Sequence, residues 1–216
     1  MKRDSTSLAP AEAAAIVRDT SMLDLISGDH REGFRVVIAD PPWSYNNSGC
    51  RGTAANEYST MSVGAICDLP VGDLCESDAT LFLWATWPNL VEALDVVKAW
   101  GFEYVTGLPW IKLREKPFGD LWGEVVAPPQ YGVGFWVRGC TEPLLIARRG
   151  KVSPVTGDFV GLISENFGHS RKPDNVHQLA ERLEGPYLEL FARRHRAGWS
   201  VFGNEIGATT QHEHYA

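Results

Sequence analysis

Two short, almost entirely apolar runs constrain the fold of this chain more than any other feature. They are FRVVIA (Phe34–Ala39) and ATLFLWA (residues 79–85), and neither shows the polar alternation of a strand with one wet face. Short runs rich in branched and aromatic residues are typical of strands covered on both faces. They are also far too short to span a bilayer. The sequence therefore predicts a sheet with helices on both of its faces.

Helical and strand patterns alternate along the rest of the chain. Three helices are predicted, at residues 11–18, 88–100 and 173–183, the last two with a proline in the first turn. Further strands are predicted at 102–111, 142–147, 187–192 and 199–202. This order is typical of an α/β fold with a mostly parallel sheet, which binds ligands at the carboxyl ends of its strands. We expect one domain over residues 10–206 and flexible ends at 1–9 and 207–216.

Composition narrows the class of protein. With 216 residues, 44% of them hydrophobic, the chain can bury a core, and its net charge of -7 argues against bulk coating of nucleic acid. Residues 138–196 nevertheless carry ten Lys and Arg against seven Asp and Glu, so a locally basic face is expected. No apolar stretch follows the N-terminus, and the four cysteines form no CxxC pair. We therefore predict a cytoplasmic protein with reduced thiols, without a secretory signal, a membrane segment or a metal site.

The motif Asp40-Pro41-Pro42-Trp43 follows the first apolar run directly. Consecutive prolines fix φ and supply no donor, so we expect the backbone carbonyls of Asp40 and Pro41 to face the ligand site. One carboxylate and one fixed carbonyl can accept both hydrogens of a planar exocyclic amine. Trp43 would then offer an apolar wall or a stacking face to a flat base. The pattern predicts a site that grips an amino group and directs its lone pair at an electrophile.

The motif VVIADPPW, followed by EYSTMS, LFLWAT, HSRKPD and LELFAR…GWSVFGNE, resembles the adenine-amine methyltransferases related to the catalytic subunit of the mRNA adenosine methylase. The resemblance runs from Phe34 to Glu205. It implies a Rossmann-like class I fold in which the catalytic strand precedes the cofactor strand, the order called β-class. It also implies S-adenosylmethionine as cofactor and methyl transfer to the exocyclic amine of adenine in DNA, as in the small bacterial and phage members.

Residues that match the family's motifs are expected to bind the cofactor. By resemblance, Lys172 pairs with the methionine carboxylate, Arg193 contacts the ribose, and Glu189 orients the lysine. Asn204 and Glu205 match residues near the ribose, although Glu205 stands where the mRNA enzyme has glutamine. Asp24 is a weaker match for the residue that binds the cofactor adenine. The Gly-x-Gly loop of most Rossmann-like methyltransferases is missing after Phe191, as it is in the family.

Substrate contacts are predicted from aromatic and basic residues near the motif. A duplex hides the target amine, so the base must be flipped out at a cost of a few kcal/mol. Stacking on Trp43, Tyr45 or Trp110 can offset that cost. Basic side chains in or beside the long segment 112–135 can contact phosphates; the candidates are Lys112, Arg114, Lys116, Arg148, Arg149 and Lys151. With segment 44–61, this stretch is predicted to form functional lids.

Three alternatives stay open at the level of sequence. We favour DNA over RNA as substrate, but the sequence shows no separate recognition domain that would distinguish the two nucleic acids. A non-catalytic, nucleic-acid-binding partner subunit of such an enzyme is the rival of another class, and the intact motif with Lys172 and Arg193 disfavours it. The sequence does not say whether the protein forms a homodimer or binds a partner subunit.

Glu142 also matches a family glutamate, for which a structural role is expected. His169, His177 and His195 are expected to have no catalytic part.

Overall fold

The two apolar runs form adjacent strands near the centre of one sheet. A computed structural model of the protein describes residues 33–44, 60–113, 118–119, 125–126, 131, 136–154, 162–165, 172–203 and 206. In it, the first run is strand β1 (Phe34–Ala39) and the second forms most of β2 (Cys75–Trp84). The two strands pair in parallel, with Val37 opposite Leu81, and both side chains are fully buried.

The predicted later strands are also present, and short additional ones accompany them. They are β3 (Glu103–Leu113), β4 (Phe118–Gly119), β5 (Val125–Val126), β6 (Thr141–Arg149), β7 (Leu162–Glu165), β8 (Tyr187–Leu190) and β9 (Trp199–Phe202). Within the described residues, seven strands form one sheet in the order β7-β3-β6-β2-β1-β8-β9, and β4 pairs with β5 separately. Strand β6 runs antiparallel to β2 and β3, whereas the other pairs in the sheet are parallel.

Helices cover both faces of this sheet. Helices α1 (Val63–Cys67) and α2 (Leu90–Ala99) pack on one face, where Val37, Leu81 and Leu145 point. Helix α3 (Asn175–Ala180) packs on the other, against Val36 and Phe82. The alternation follows from the pleat, because successive residues of a strand point to opposite faces. The predicted α/β class, with a mostly parallel sheet between helices, is confirmed.

Element boundaries differ from the sequence prediction where local hydrogen bonding changes. The helix predicted at 173–183 is α-helical only at its centre, because Arg182 and Leu183 donate to residues three positions earlier. Strand β2 begins at Cys75, ahead of its apolar part, and a register shift separates the two parts. Helix α1 was not predicted, although its cap is visible in the sequence: the Ser62 hydroxyl accepts the backbone N–H of Ala65.

Some predictions lie outside the described residues, namely the helix at 11–18, the two chain ends and most of the segments 44–61 and 112–135 that were predicted to form lids. Within the described part of the chain, no helix combines the length and apolar composition that a membrane crossing requires. The described cysteines, Cys67, Cys75 and Cys140, are all free thiols.

The predicted site lies at one edge of the sheet. Strands β1, β2, β3 and β8 end there, and the antiparallel β6 begins there; we call it the carboxyl edge. After β1 the chain continues to β2, which lies on one side of the β1–β8 pair. After β8 it continues to β9, which lies on the opposite side of that pair. Sheets of this type bind ligands where the direction of the connections reverses, which here is between β1 and β8.

Candidate active site

Asp40 stands at this reversal point, directly after β1. Its backbone N–H lies 3.5 Å from the carbonyl oxygen of Leu190, so the end of β1 stays close to the end of β8. The Asp40 side chain is 23% exposed, which leaves its carboxylate accessible from the carboxyl edge. Pro41 beside it is buried. The structure therefore places Asp40 where the sequence predicts.

The rest of the motif is more enclosed than the sequence predicts. The Pro41 carbonyl accepts the backbone N–H of Trp43 at 2.9 Å, and the Pro42 carbonyl accepts that of Met61 at 2.8 Å. The Pro41 carbonyl, which was expected to face the ligand site, thus already accepts one hydrogen bond and keeps one lone pair for another donor. Trp43 is only 5% exposed and its indole N–H donates to the carbonyl of Trp84. Its ring packs in the core, so it offers no open stacking face here.

Asp40 is part of a chain of four alternating charges. The Lys172 ammonium donates to both Asp40 oxygens, Oδ1 at 2.9 Å and Oδ2 at 3.0 Å. It also lies 3.3 Å from Glu142 Oε2, and the other Glu142 oxygen accepts from the Lys112 ammonium. The side chains of Asp40, Lys172 and Glu142 are each less than a quarter exposed. Two carboxylates and two ammonium groups thus neutralise one another at the carboxyl edge.

The surroundings favour the charged forms of Lys172 and Glu142. Burial alone would lower the pKa of Lys172, but the carboxylates of Asp40 and Glu142 outweigh it and raise the pKa above its ordinary value. Burial alone would raise the pKa of Glu142, but the ammonium groups of Lys172 and Lys112 lower it. The Lys172 ammonium also lies 5.5 Å from the ring centre of Trp84 and 6.0 Å from that of Trp110, within the range of cation–π attraction.

Several predicted substrate contacts take different positions in the structure. The Lys112 ammonium is bound to Glu142 rather than free for a phosphate, and Trp110 is 2% exposed and packs edge-on against Trp84. Neither therefore presents the predicted phosphate or stacking contact. Arg148 and Arg149 lie at the far end of β6, away from the carboxyl edge, because β6 is antiparallel; the adjoining Lys151 lies at that same end. The direction of β6 was not visible in the sequence.

Glu189 has a different partner from the predicted one. It was expected to orient Lys172, but its Oε2 lies 2.9 Å from Nε2 of His177, on α3. His177 is buried and its ring is held edge-on against Trp199. Glu189 lies on β8 opposite Ile38 of β1, and so close to the end of the catalytic strand. His177, for which no catalytic part was expected, is therefore the residue that orients Glu189.

Arg193 follows a tight turn at the end of β8. Phe191, at the start of this turn, has a φ of 62°, in the left-handed region that usually favours glycine. The missing glycine loop is thus replaced by a phenylalanine in a conformation that glycine adopts at lower cost. Such strained positions are often found at functional sites. The remaining predicted residues lie outside the described part of the chain: Asp24, Tyr45, Arg114, Lys116, Asn204 and Glu205.

Comparison with known proteins connects this geometry to a family. The family model MT-A70 matches residues 34–205, from the first residue of β1 to just beyond β9. The chain belongs to the MT-A70 family. The resemblance noted in the sequence is therefore confirmed, and the Rossmann-like methyltransferase fold agrees with it.

Three relatives show the breadth of the MT-A70 family. The chain is 27% identical over 201 residues to the type II methyltransferase M.MunI of a Mycoplasma species, covering 82% of this chain and 79% of the relative. It is 29% identical over 215 residues to the human N(6)-adenine-specific methyltransferase METTL4, covering 92% and 43%. It is 26% identical over 179 residues to the human N(6)-adenosine-methyltransferase catalytic subunit METTL3, covering 80% and 28%. The chain thus spans most of the Mycoplasma enzyme but less than half of either human relative.

MT-A70 methyltransferases use S-adenosylmethionine as methyl donor, as predicted. The site fits the amino-acid end of this cofactor, which carries one carboxylate and one ammonium. Lys172 is a cation that can meet the carboxylate. Glu142 Oε2 is buried and lies 3.3 Å from the Lys172 ammonium, but it accepts no well-aligned hydrogen bond within the described residues, so it can still accept one from a second cationic group. A zwitterionic ligand matches this pair of groups.

Proposed function

We propose that this protein transfers a methyl group from S-adenosylmethionine to the exocyclic amine of adenine in nucleic acid, with DNA as the preferred substrate. The observation that carries the proposal is the Asp40 carboxylate at the reversal point of the sheet, 2.9 Å from the partly buried Lys172 ammonium. A carboxylate acceptor beside a cation that can bind the cofactor carboxylate is what such a transfer requires. Membership of the MT-A70 family supports the same reaction.

The cofactor would be held by groups on both sides of the reversal point. We assign Lys172 to its carboxylate, Arg193 to its ribose, and Glu189, oriented by His177, to a donor group of the cofactor. Asn204, Glu205 and Asp24 remain proposals from the family resemblance. When bound, S-adenosylmethionine supplies an electrophilic methyl group on a sulfonium. The chain's own contribution is to fix the geometry, and aligning two bound reactants can contribute several kcal/mol to lowering the barrier.

Asp40 accepts a hydrogen bond from the target amine and stabilises the positive charge that develops on nitrogen as the N–C bond forms and the S–C bond breaks; the methylated amine then releases its extra proton to Asp40 or to water. Both of its oxygens accept from Lys172, but a carboxylate has about four lone-pair positions, so it retains capacity for the amine. The Lys172 ammonium is shared between Asp40 and Glu142. If Lys172 turned from Asp40 toward the cofactor carboxylate, Glu142 would still neutralise its ammonium, and Asp40 would become a stronger acceptor.

Two features of the comparisons support DNA as the substrate: the share of each relative that the chain spans, and the kinds of relative that it matches. The chain spans 79% of M.MunI, whereas it spans 28% of METTL3, an adenosine methyltransferase. The adenine-specific METTL4 is matched over 92% of this chain. RNA is the second candidate, because one relative, N6-methyladenosine RNA methyltransferase MTA1 of Pyricularia oryzae, carries RNA in its name. We also propose that residues 10–206 form a single domain.

The test is transfer of labelled methyl groups to duplex DNA, single-stranded DNA and RNA of the same sequence, followed by nucleoside analysis. We expect N6-methyladenine, with DNA preferred. Asp40→Asn, which keeps the shape of the side chain but removes its charge, should lower kcat by about 100-fold or more. Asp73→Asn, an exposed aspartate far from the carboxyl edge, is the matched control. The proposal is contradicted if none of the three substrates is methylated. It is also contradicted if the Asp40→Asn variant keeps the wild-type kcat.

A further inference from the structure

An aromatic side chain at the carboxyl edge is open to solvent, although two others near it are buried. Trp43 and Trp110, which the sequence predicts to stack on the target base, pack in the core. Trp87 is 51% exposed and lies three residues after Trp84, where β2 ends. Single exposed apolar residues are common on protein surfaces, so exposure alone assigns no role to Trp87. Its position and the way its ring is held are more informative.

The ring of Trp87 is fixed before any ligand binds. Its indole N–H donates to the Thr141 hydroxyl at 2.8 Å. Its backbone belongs to a short 3₁₀ turn (Trp87–Asn89) in which Pro88 restricts φ and the Trp87 carbonyl accepts the N–H of Leu90. A ligand that stacks on this ring therefore needs to immobilise little, which lowers the entropic cost of binding. Trp87 thus offers a preformed flat surface.

Trp87 also lies close to the catalytic carboxylate. Ala39 of β1 pairs with Leu83 of β2. Asp40 is one residue past that pair and Trp87 is four residues past it. With about 4.8 Å between strands and about 3.3 Å between residues, the Cα atoms of Asp40 and Trp87 are no more than about 12 Å apart. A base that flanks a flipped target is therefore within reach of Trp87 when the target amine meets Asp40.

The neighbours of Trp87 favour a nucleobase over an apolar protein surface as its ligand. Thr141 is polar, and the next residue of β6, Glu142, contacts the ammonium groups of Lys112 and Lys172. The cores of protein–protein interfaces are depleted in charged groups. A nucleobase combines a flat face that stacks on aromatic rings with a polar rim. That combination matches a tryptophan face beside polar and charged side chains.

We propose that Trp87 stacks on a base that flanks the target adenine in the bound strand. This inference rests on the proposed function and adds a substrate contact to it. Stacking on Trp87 replaces part of the base stacking that the strand loses when the target leaves the duplex. Because every base presents a flat face, the contact strengthens binding without selecting the flanking sequence.

The experiment measures methylation of a single-stranded oligonucleotide with one adenine, made of the nucleic acid that the wild type prefers. Two further copies carry an abasic residue on one or the other side of that adenine. Trp87→Leu removes the ring and should raise the KM of the intact oligonucleotide by about 5- to 10-fold. The kcat should stay within about twofold, since Trp87 does not touch the reacting amine. In the wild type, one of the two abasic copies should raise KM by a similar factor. In Trp87→Leu the same copy should add less than about twofold, because the contact is already lost.

Two further variants separate stacking from a change in structure. Trp87→Phe keeps a ring but not the indole N–H, and its KM should stay within about threefold of the wild-type value. Tyr104→Leu is the matched control. It removes an aromatic side chain that is 46% exposed at the opposite end of the sheet, where β3 begins, and should leave KM unchanged.

The inference is overturned if Trp87→Leu keeps the wild-type KM, or if both abasic copies are as good substrates as the intact oligonucleotide. It is also overturned if the abasic losses are equal in Trp87→Leu and in the wild type. A Trp87→Leu variant whose oligomeric state changes in sedimentation while KM does not places Trp87 in a protein interface, with the same consequence. A wild type that methylates no adenine contradicts the proposed function instead, and anisotropy of the same oligonucleotides, labelled with a fluorophore, then tests stacking by the same comparison. A wild type that binds none overturns both.

Discussion

Removing the ammonium at the centre of the charged network should destabilise the fold measurably. Lys172→Met keeps an unbranched chain of similar length but leaves the carboxylates of Asp40 and Glu142 without the cation between them. Breaking a buried ion pair by deleting one partner costs about 3–5 kcal/mol. Because these side chains keep 17–23% exposure, we expect the lower end, about 3 kcal/mol at pH 7.

Urea unfolding followed by circular dichroism measures this loss, with Lys98→Met on the exposed face of α2 as control. The penalty should shrink as pH falls toward 4, because Lys172 helps to lower the pKa of Glu142, and without that cation the buried Glu142 carboxyl takes up a proton more readily. Asp40→Asn in the Lys172→Met background should recover part of the stability, as expected of coupled neighbours. A loss below about 1 kcal/mol, or one that does not change with pH, would refute the reasoning that the network is a buried charge system.

Two further predictions concern titratable groups. The pKa of Glu142 lies below its ordinary 4.5, so its stabilisation is present above that pH and is lost as the pH falls through the folded value. Urea unfolding between pH 7 and pH 3 should therefore show a larger loss for the wild type than for Glu142→Gln, and parallel curves would contradict this. Burial raises the pKa of Cys75 to about 12, and its thiol donates to the carbonyl of Val71. At pH 8, iodoacetamide should leave Cys75 unlabelled in the native protein and label it in urea, by peptide mass spectrometry; rapid native labelling would show that this region opens.

The central strands and the catalytic aspartate could be predicted because their signals are local. A continuous apolar run defines β1 without reference to the rest of the chain, and Asp40 follows it directly. The family resemblance added the cofactor and Lys172. The direction of β6 has no local signal, since an apolar strand pattern is the same in either direction. For this reason the sequence analysis predicted only a structural role for Glu142. In the structure its carboxylate lies between two lysines at the carboxyl edge.

Side-chain partners were the least predictable part of the site. Lys172 and Asp40 are 132 positions apart in the sequence, and only the fold brings them together. Glu189 was assigned to the lysine by resemblance, but the pairing with His177 depends on how α3 packs over β8. Trp43 and Trp110 are aromatic residues next to a site, a pattern that fits stacking and core packing equally well. Burial, which the sequence does not give, separates the two.

The reversed direction of β6 also determines where sequence can vary. Strand β3 ends at Leu113 and β6 begins at Thr141, and both of these points lie on the same rim as Asp40. A connection anchored at both ends beside the reaction centre can be lengthened, shortened or rewritten without disturbing the strands that support it. Relatives that share this scaffold could therefore acquire different target preferences through this one stretch, while the aspartate and its lysine partner keep their places.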